Sequence, residues 1–249
     1  MRIGTFNIQH GQNYIKYLKT GKEYIELEAM ADFISDLGIE ICALNEVRNQ
    51  ENVPGLVNQA KVMGEHIGYY WHFARAIDLP PSFGGEYGNA IISKYPIKSA
   101  ELYPISLPEE DQAGTRDYEP RVVLVARIDV SGKELTVIST HFGLNDKEKE
   151  KAYAVSLEAI EKVDTPLVFL GDLNINCSHP IIKKLSEKLT NCDAYLESID
   201  RTWIGRLTDP WEIWKIDHIF SKGLKVEKSV IVSETLSDHR PCYIDCTFI

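Results

Sequence analysis

In Leu167-Val168-Phe169-Leu170-Gly171-Asp172-Leu173-Asn174, four apolar residues suited to a buried strand run into a glycine and two polar side chains. The glycine permits a tight exit from a sheet. Residues two apart on an extended chain point the same way, so Asp172 and Asn174 are presented together at a strand end. Two later segments bear on the same place. Ile216-Asp217-His218-Ile219-Phe220 sets a carboxylate inside an apolar run, where an unpaired charge is costly and a partner is needed. Ser237-Asp238-His239-Arg240-Pro241 supplies the imidazole. An Asp hydrogen-bonded to His239 would fix its tautomer and raise its basicity, making it competent as a general base. Asp238 would face away from His239, toward a metal or its waters.

The upstream half carries matching signals. Asn7 closes an apolar strand in Thr5-Phe6-Asn7-Ile8, and Glu46 follows Ile41-Cys42-Ala43-Leu44. An amide and a carboxylate at strand ends can converge on a hard cation, since Mg²⁺ prefers a few oxygen ligands and retained waters. His141 directly follows another apolar run and precedes a helix, where an imidazole can face a ligand. These groups together suit metal-assisted attack of water on phosphorus.

The periodicity predicts strands at residues 3–8, 39–44, 69–76 and 87–93, and helices at 22–37, closed by Gly38, and from Pro54 with Leu56, Ala60, Met63 and Ile67 on one stripe. Residues 103–120, with Pro104, Pro108, Gly114 and Pro120, read as a long loop. A hairpin turning at Ser131-Gly132 joins 121–130 to 134–140, and Asn145 with Glu148 has capping-box spacing before a helix. A helix at 180–189 and strands at 167–170, 215–220, 224–232 and 242–248 complete the chain. Strands outnumber helices and come partly as hairpins, which favours two packed sheets with helices outside over one doubly wound sheet.

With 249 residues and 44% hydrophobic residues, one large core and a single domain over 1–249 are expected. No run is long enough to span a bilayer and no secretory signal opens the chain, so a cytoplasmic, monomeric enzyme is expected. The five cysteines are odd in number and form no CxxC pair, against a zinc site or a disulfide framework. A formal charge of −10 works against loose binding to duplex DNA.

Taken in order, Thr5-Phe6-Asn7-Ile8, Asn45-Glu46, Thr140-His141, Gly171-Asp172-Leu173-Asn174, Ile216-Asp217-His218-Ile219-Phe220 and Ser237-Asp238-His239 resemble the motifs of the endonuclease/exonuclease/phosphatase superfamily, the DNase I-like fold. The resemblance covers nearly the whole chain. It implies an α/β fold, a four-layered α/β/β/α sandwich, and Mg²⁺ or Mn²⁺ carried mainly by Glu46 with help from Asn7 and Asp238. It implies that Asp172 and Asn174 position or activate water, and that His239, paired with Asp217, acts as base or stabilises the transition state. His141 matches a scissile-phosphate contact, and Arg121 resembles a phosphate-facing arginine. In Gly84-Gly85-Glu86-Tyr87-Gly88-Asn89, similar to bacterial metal-dependent hydrolases of the superfamily, Asn89 would face the site.

Two departures stand out: Asn45 replaces the family's usual Gln, and His141 stands where abasic-site endonucleases carry tyrosine. The implied activity is hydrolysis of a phosphodiester or phosphomonoester, with a small or lipid-like phosphorylated substrate favoured. A DNA or RNA nuclease is the alternative, and a catalytically inactive phosphate-ligand binding protein is the alternative outside the enzymes. Trp203, Trp211 and Trp214 read either as a substrate wall or as packing residues.

Overall fold

The computed structural model describes residues 1–51, 57–78, 80, 85–112, 118–205 and 214–249. The first half supplies β1 (Arg2–Asn7), α1 (Tyr14–Thr20), α2 (Leu27–Asp36), β2 (Ile41–Asn49), α3 (Gln59–His66), β3 (Tyr70–Asp78) and β4 (Glu86–Ser93). The second supplies β5 (Ile97–Ile105), α4 (Glu109–Gln112), β6 (Arg121–Val130), β7 (Lys133–His141), α5 (Asp146–Glu161), β8 (Leu167–Asp172), α6 (Pro180–Ser186), β9 (Thr190–Asn191), β10 (Asp217–Lys222), β11 (Leu224–Ile231) and β12 (Cys242–Phe248). Among the described residues no helix is long and apolar enough to cross a membrane.

Two six-stranded sheets form, ordered β11-β12-β1-β2-β4-β3 and β5-β6-β7-β8-β10-β9. Each is built around one parallel pair, β1–β2 and β7–β8, flanked by antiparallel strands. Side-chain alternation sorts the core into layers. Ile3, Ile41, Ala43, Leu124, Val168, Leu170 and Ile219 pack between the sheets. Phe6, Cys42 and Leu44 turn outward onto Met30 and Ile34 of α2 and Met63 of α3. Val123, Ile138, Phe169 and Phe220 turn outward onto Ala152, Ala159 and Ile160 of α5 and Ile181 of α6. The molecule is therefore a four-layered α/β/β/α sandwich.

Local chemistry sets several boundaries. The hairpin turns at Ser131 and Gly132, both in the left-handed region (φ 54° and 87°), as a two-residue turn requires. Asn145 and Glu148 form a capping box at the start of α5. The helix expected at 22–37 begins only at Leu27, and a separate helix, α1, precedes it, capped by Asn13 accepting from the Lys16 amide. α3 starts at Gln59 behind an Asn58 cap, whereas Pro54 and Leu56, expected in its first turn, lie outside the described residues. β5 occupies the stretch expected to begin a loop at Tyr103: pairing with β6 from Ile97↔Ile128 to Ile105↔Arg121 overrides the weak local pattern and accommodates Pro104. An exposed edge strand tolerates a proline that a central one would not.

Candidate active site

Both parallel pairs end on the same side of the sandwich, where Asn7 pairs with Asn45 and His141 with Asp172. β10 runs antiparallel to β8 and starts there, Asp217 lying opposite Asp172. The chain therefore delivers polar side chains from strands remote in sequence to one opening, at the carboxyl ends of the parallel strands.

A bulge in β2 explains how adjacent residues share the site. Register shifts between Leu44 and Val47, so that Asn45 and Glu46 stand against Asn89 alone, and Glu46 takes φ 59°. Such an insertion re-aims a side chain that alternation would send to the other face. Asn45 becomes a staple between the sheets. Its Nδ2 donates to Asn89 Oδ1 (2.9 Å) and Thr140 O (3.0 Å), and its Oδ1 accepts from the Asp172 amide (3.0 Å). Asn89 Nδ2 in turn donates to Val122 O (2.9 Å). Asn89, expected to face phosphate, thus turns both ends of its amide into the protein as a brace.

Gly171 holds the neighbouring strand. With φ 145° and a hypothetical Cβ 1.9 Å from Thr140 O, no side chain fits there. The next residue, Asp172, is the hub of the site. Its Oδ2 accepts from Asn7 Nδ2 at 3.0 Å and lies 3.5 Å from His141 Nε2 and 3.6 Å from His239 Nε2, while Oδ1 accepts from the Asn174 amide at 2.9 Å. Asn7 Nδ2 also donates to Glu46 Oε1 (3.0 Å), and its Oδ1 accepts from the Gln9 amide (3.1 Å). His239 Nδ1 sits 2.9 Å from Asp217 Oδ2, the pairing expected from sequence.

The charges are strongly shaped by this packing. Burial, reinforced by the Asp217 carboxylate, pushes Asp172 up to about 7. Burial disfavours a charge on His239, but Asp217 and Asp172 outweigh it and push the imidazole up to about 10. Burial, with the Arg121 and His239 cations nearby, holds His141 well below the usual histidine range. Arg121 Nη1 lies 3.3 Å from His141 Nδ1, and Arg121 Nη2 pairs with Glu119 at 2.9 Å. Asn174 Nδ2 lies 3.1 Å from His141 Nε2 and donates to Phe142 O.

Asp238 does turn away from His239: its Oδ2 accepts from Trp203 Nε1 (3.3 Å) and its Oδ1 from Ser237 Oγ (3.2 Å). Burial raises its pKa, and the facing Glu46 charge raises it further. Burial and the nearby Glu46 charge push the half-buried Tyr87 hydroxyl well above the usual tyrosine range. Trp203 and Trp214 pack edge to face with centroids 5.4 Å apart; Trp211 lies outside the described residues.

A layer below the site went unanticipated in the sequence. Lys215 is 2% exposed, and its ammonium lies 2.8 Å from Asp217 O, 2.8 Å from Asp193 Oδ1 and 3.3 Å from His218 Nδ1. The signal was a lysine two residues before a strand carboxylate. Cys177 joins Asp193 and His218 there, but the ammonium already fills the space a cation would take.

A sequence model of the endonuclease/exonuclease/phosphatase family matches residues 4–239. The chain belongs to that family. The endonuclease/exonuclease/phosphatase from Beutenbergia cavernae is similar in structure, with TM-score 0.79 at 19% identity, covering 100% of this chain and 71% of that one. The mannosyl-6-phosphatase of Bacteroides thetaiotaomicron is similar with TM-score 0.78 at 17% identity, covering 100% of both chains. Likeness at such identities reports the fold. In sequence, the uncharacterized protein YbhP of Escherichia coli K12 is 28% identical over 194 residues, 72% of this chain and 70% of that protein. Members of the family are generally hydrolases of phosphate esters and generally use a divalent metal.

Proposed function

We propose that this protein is a Mg²⁺- or Mn²⁺-dependent phosphoesterase that splits a small phosphorylated substrate by in-line attack of water. The observation that carries this reading is the convergence on Asp172 Oδ2 of Asn7, His141 and a His239 backed by Asp217. The donor chemistry fits the metal: Glu46 and Asp238 are carboxylates close enough for one charge to raise the other, which a hard cation between oxygen ligands relieves. Glu46 and Asp238 would hold it, with Asn7 beside them. Such an ion, when bound, withdraws charge from the phosphoryl oxygens and makes water more acidic.

The chain's own residues do the rest. Asp172 Oδ2 takes the proton of the attacking water, which the neighbouring Asn174 orients. His239, kept protonated by Asp217 and Asp172, places its Nε2 proton toward the negative charge developing on the transferred group. His141 and Arg121 bind phosphate oxygens from the opposite side. The −10 charge favours a small substrate over duplex DNA, and the relative named as a mannosyl-6-phosphatase acts on such a substrate class by its name.

Purified protein given a Mg²⁺ panel of bis-nitrophenyl phosphate, nitrophenyl phosphate, phosphorylated sugars, sphingomyelin and single-stranded DNA should hydrolyse a small ester. It should lose turnover in EDTA, and lose at least about 100-fold in kcat on His239→Ala or Asp172→Ala. Full turnover in EDTA would sink the metal-dependent reading, and tight ligand binding with no turnover across the panel would make the protein a binder.

A further inference from the structure

Arg2, Arg75, Arg121, Arg127 and Arg240 each pair with a carboxylate. Arg48 is different: among the described residues its half-buried guanidinium makes no hydrogen bond or ion pair, in a chain of net charge −10. Its direction follows from the β2 bulge. Val47 returns to the helix-side core, fully buried beside Ala60 and Met63. Alternation therefore puts Glu46 and Arg48 together on the opposite face, the one that opens on Asp172. Arg48 stands opposite Tyr87 in the register with β4, and the Glu46 charge helps raise the pKa of the Tyr87 hydroxyl.

The backbone around Arg48 is fixed by one buried amide. Gln59, 6% exposed, accepts from the Arg48 amide through Oε1 (2.9 Å) and donates from Nε2 to His10 O (2.7 Å). Gln9 and His10 both adopt left-handed φ (45° and 47°) directly after Ile8, curling the chain back toward the site. The His10 imidazole lies 3.7 Å from Glu23 Oε1, and burial together with the Arg48 charge lowers its pKa. A cation that makes no ion pair among the described residues, on a braced backbone two residues from the proposed metal carboxylate, is suited to an anion that arrives with the ligand.

We propose that Arg48 forms a second anion subsite that selects small phosphate esters carrying a further phosphate or carboxylate. Along β2 a strand rise of about 3.3 Å per residue sets the Arg48 backbone roughly 6–7 Å from that of Glu46. The subsite rests on the phosphoesterase reading for the position of the scissile phosphorus.

Calorimetric titration at fixed free Mg²⁺ compares propane-1,3-bisphosphonate with propylphosphonate, neither of which can be hydrolysed. Wild-type protein should bind the bisphosphonate at least about tenfold more tightly. Arg48→Gln should bring that ratio to within about threefold of unity, and Arg48→Lys should restore part of it. A wild-type ratio near one, or a ratio unchanged in Arg48→Gln, overturns the subsite. So does Arg48-dependent binding of 5′-phosphorylated dithymidylate that exceeds binding of the bisphosphonate, since the second anion would then be a polynucleotide's. These readouts involve no turnover, so failure to hydrolyse any ester leaves them intact and counts against the phosphoesterase reading alone.

Discussion

Proton placement at Asp172 and His239 governs the chemistry at the scale of single residues. Burial and Asp217 push Asp172 up to about 7, and Asp217 with Asp172 pushes His239 up to about 10, so between those values the carboxylate is ionised and the imidazole protonated, the pair that water activation and charge stabilisation require. Turnover should rise with pH as Asp172 loses its proton and fall as His239 loses its own. Asp217 raises both groups, so Asp217→Asn should move both limbs of the kcat profile to lower pH, the alkaline limb by about one pH unit or more. An alkaline limb that stays in place in the variant would remove Asp217 from this role. Asp217 and His239 were readable in sequence because a carboxylate inside an apolar run demands a partner. In sequence Asn45 is only a shortened Gln; its bonds to Asp172, Asn89 and Thr140 involve strands far apart in sequence, and nothing local announces them.

Among elements, the meeting of β7 and β8 carries the most precise demand. In Gly171→Ala the new methyl has nowhere to go against Thr140 O, so the strands must part. Urea unfolding should show a loss of at least about 3 kcal/mol, and kcat should fall with the displacement of Asp172. A variant of normal stability would mean that the strand pair has slack. The α5 capping box is a milder case: Asn145→Ala removes the acceptor for the Glu148 amide and should cost about 1 kcal/mol, or roughly 2–4 °C in Tm by calorimetry, with no change in metal dependence. That box was legible because its partners are three residues apart. β5 and the start of α2 were not, because strand pairing fixes the first and an unforeseen separate helix precedes the second.

For the whole molecule, the buried Lys215–Asp193–His218 group ties the strand that carries Asp217 to the segment after β9. Burial disfavours the Asp193 charge, yet His218 and Lys215 beside it hold its pKa at about 2. A depressed carboxylate contributes stability that is present above the unfolded value of about 3.9 and lost as pH falls through the folded value. Asp193→Asn should therefore cost at least roughly 2 kcal/mol at pH 7, with the gap to wild type closing between about pH 4 and pH 2 in urea titrations. A gap independent of pH would show that the ion pair contributes nothing.

The sequence by itself determined the alternating strands, the capped helices, the hairpin turn and the order of the polar motifs, because each depends on residues a few positions apart. It also determined that Asp217 needs a partner. Only the tertiary structure decided that the two parallel pairs end on one side, that the β2 bulge brings Asn45 and Glu46 into one opening, and that Lys215 lies beneath it. Those relations arise when two sheets pack face to face, and the distances that set charge and reach exist only after they have done so.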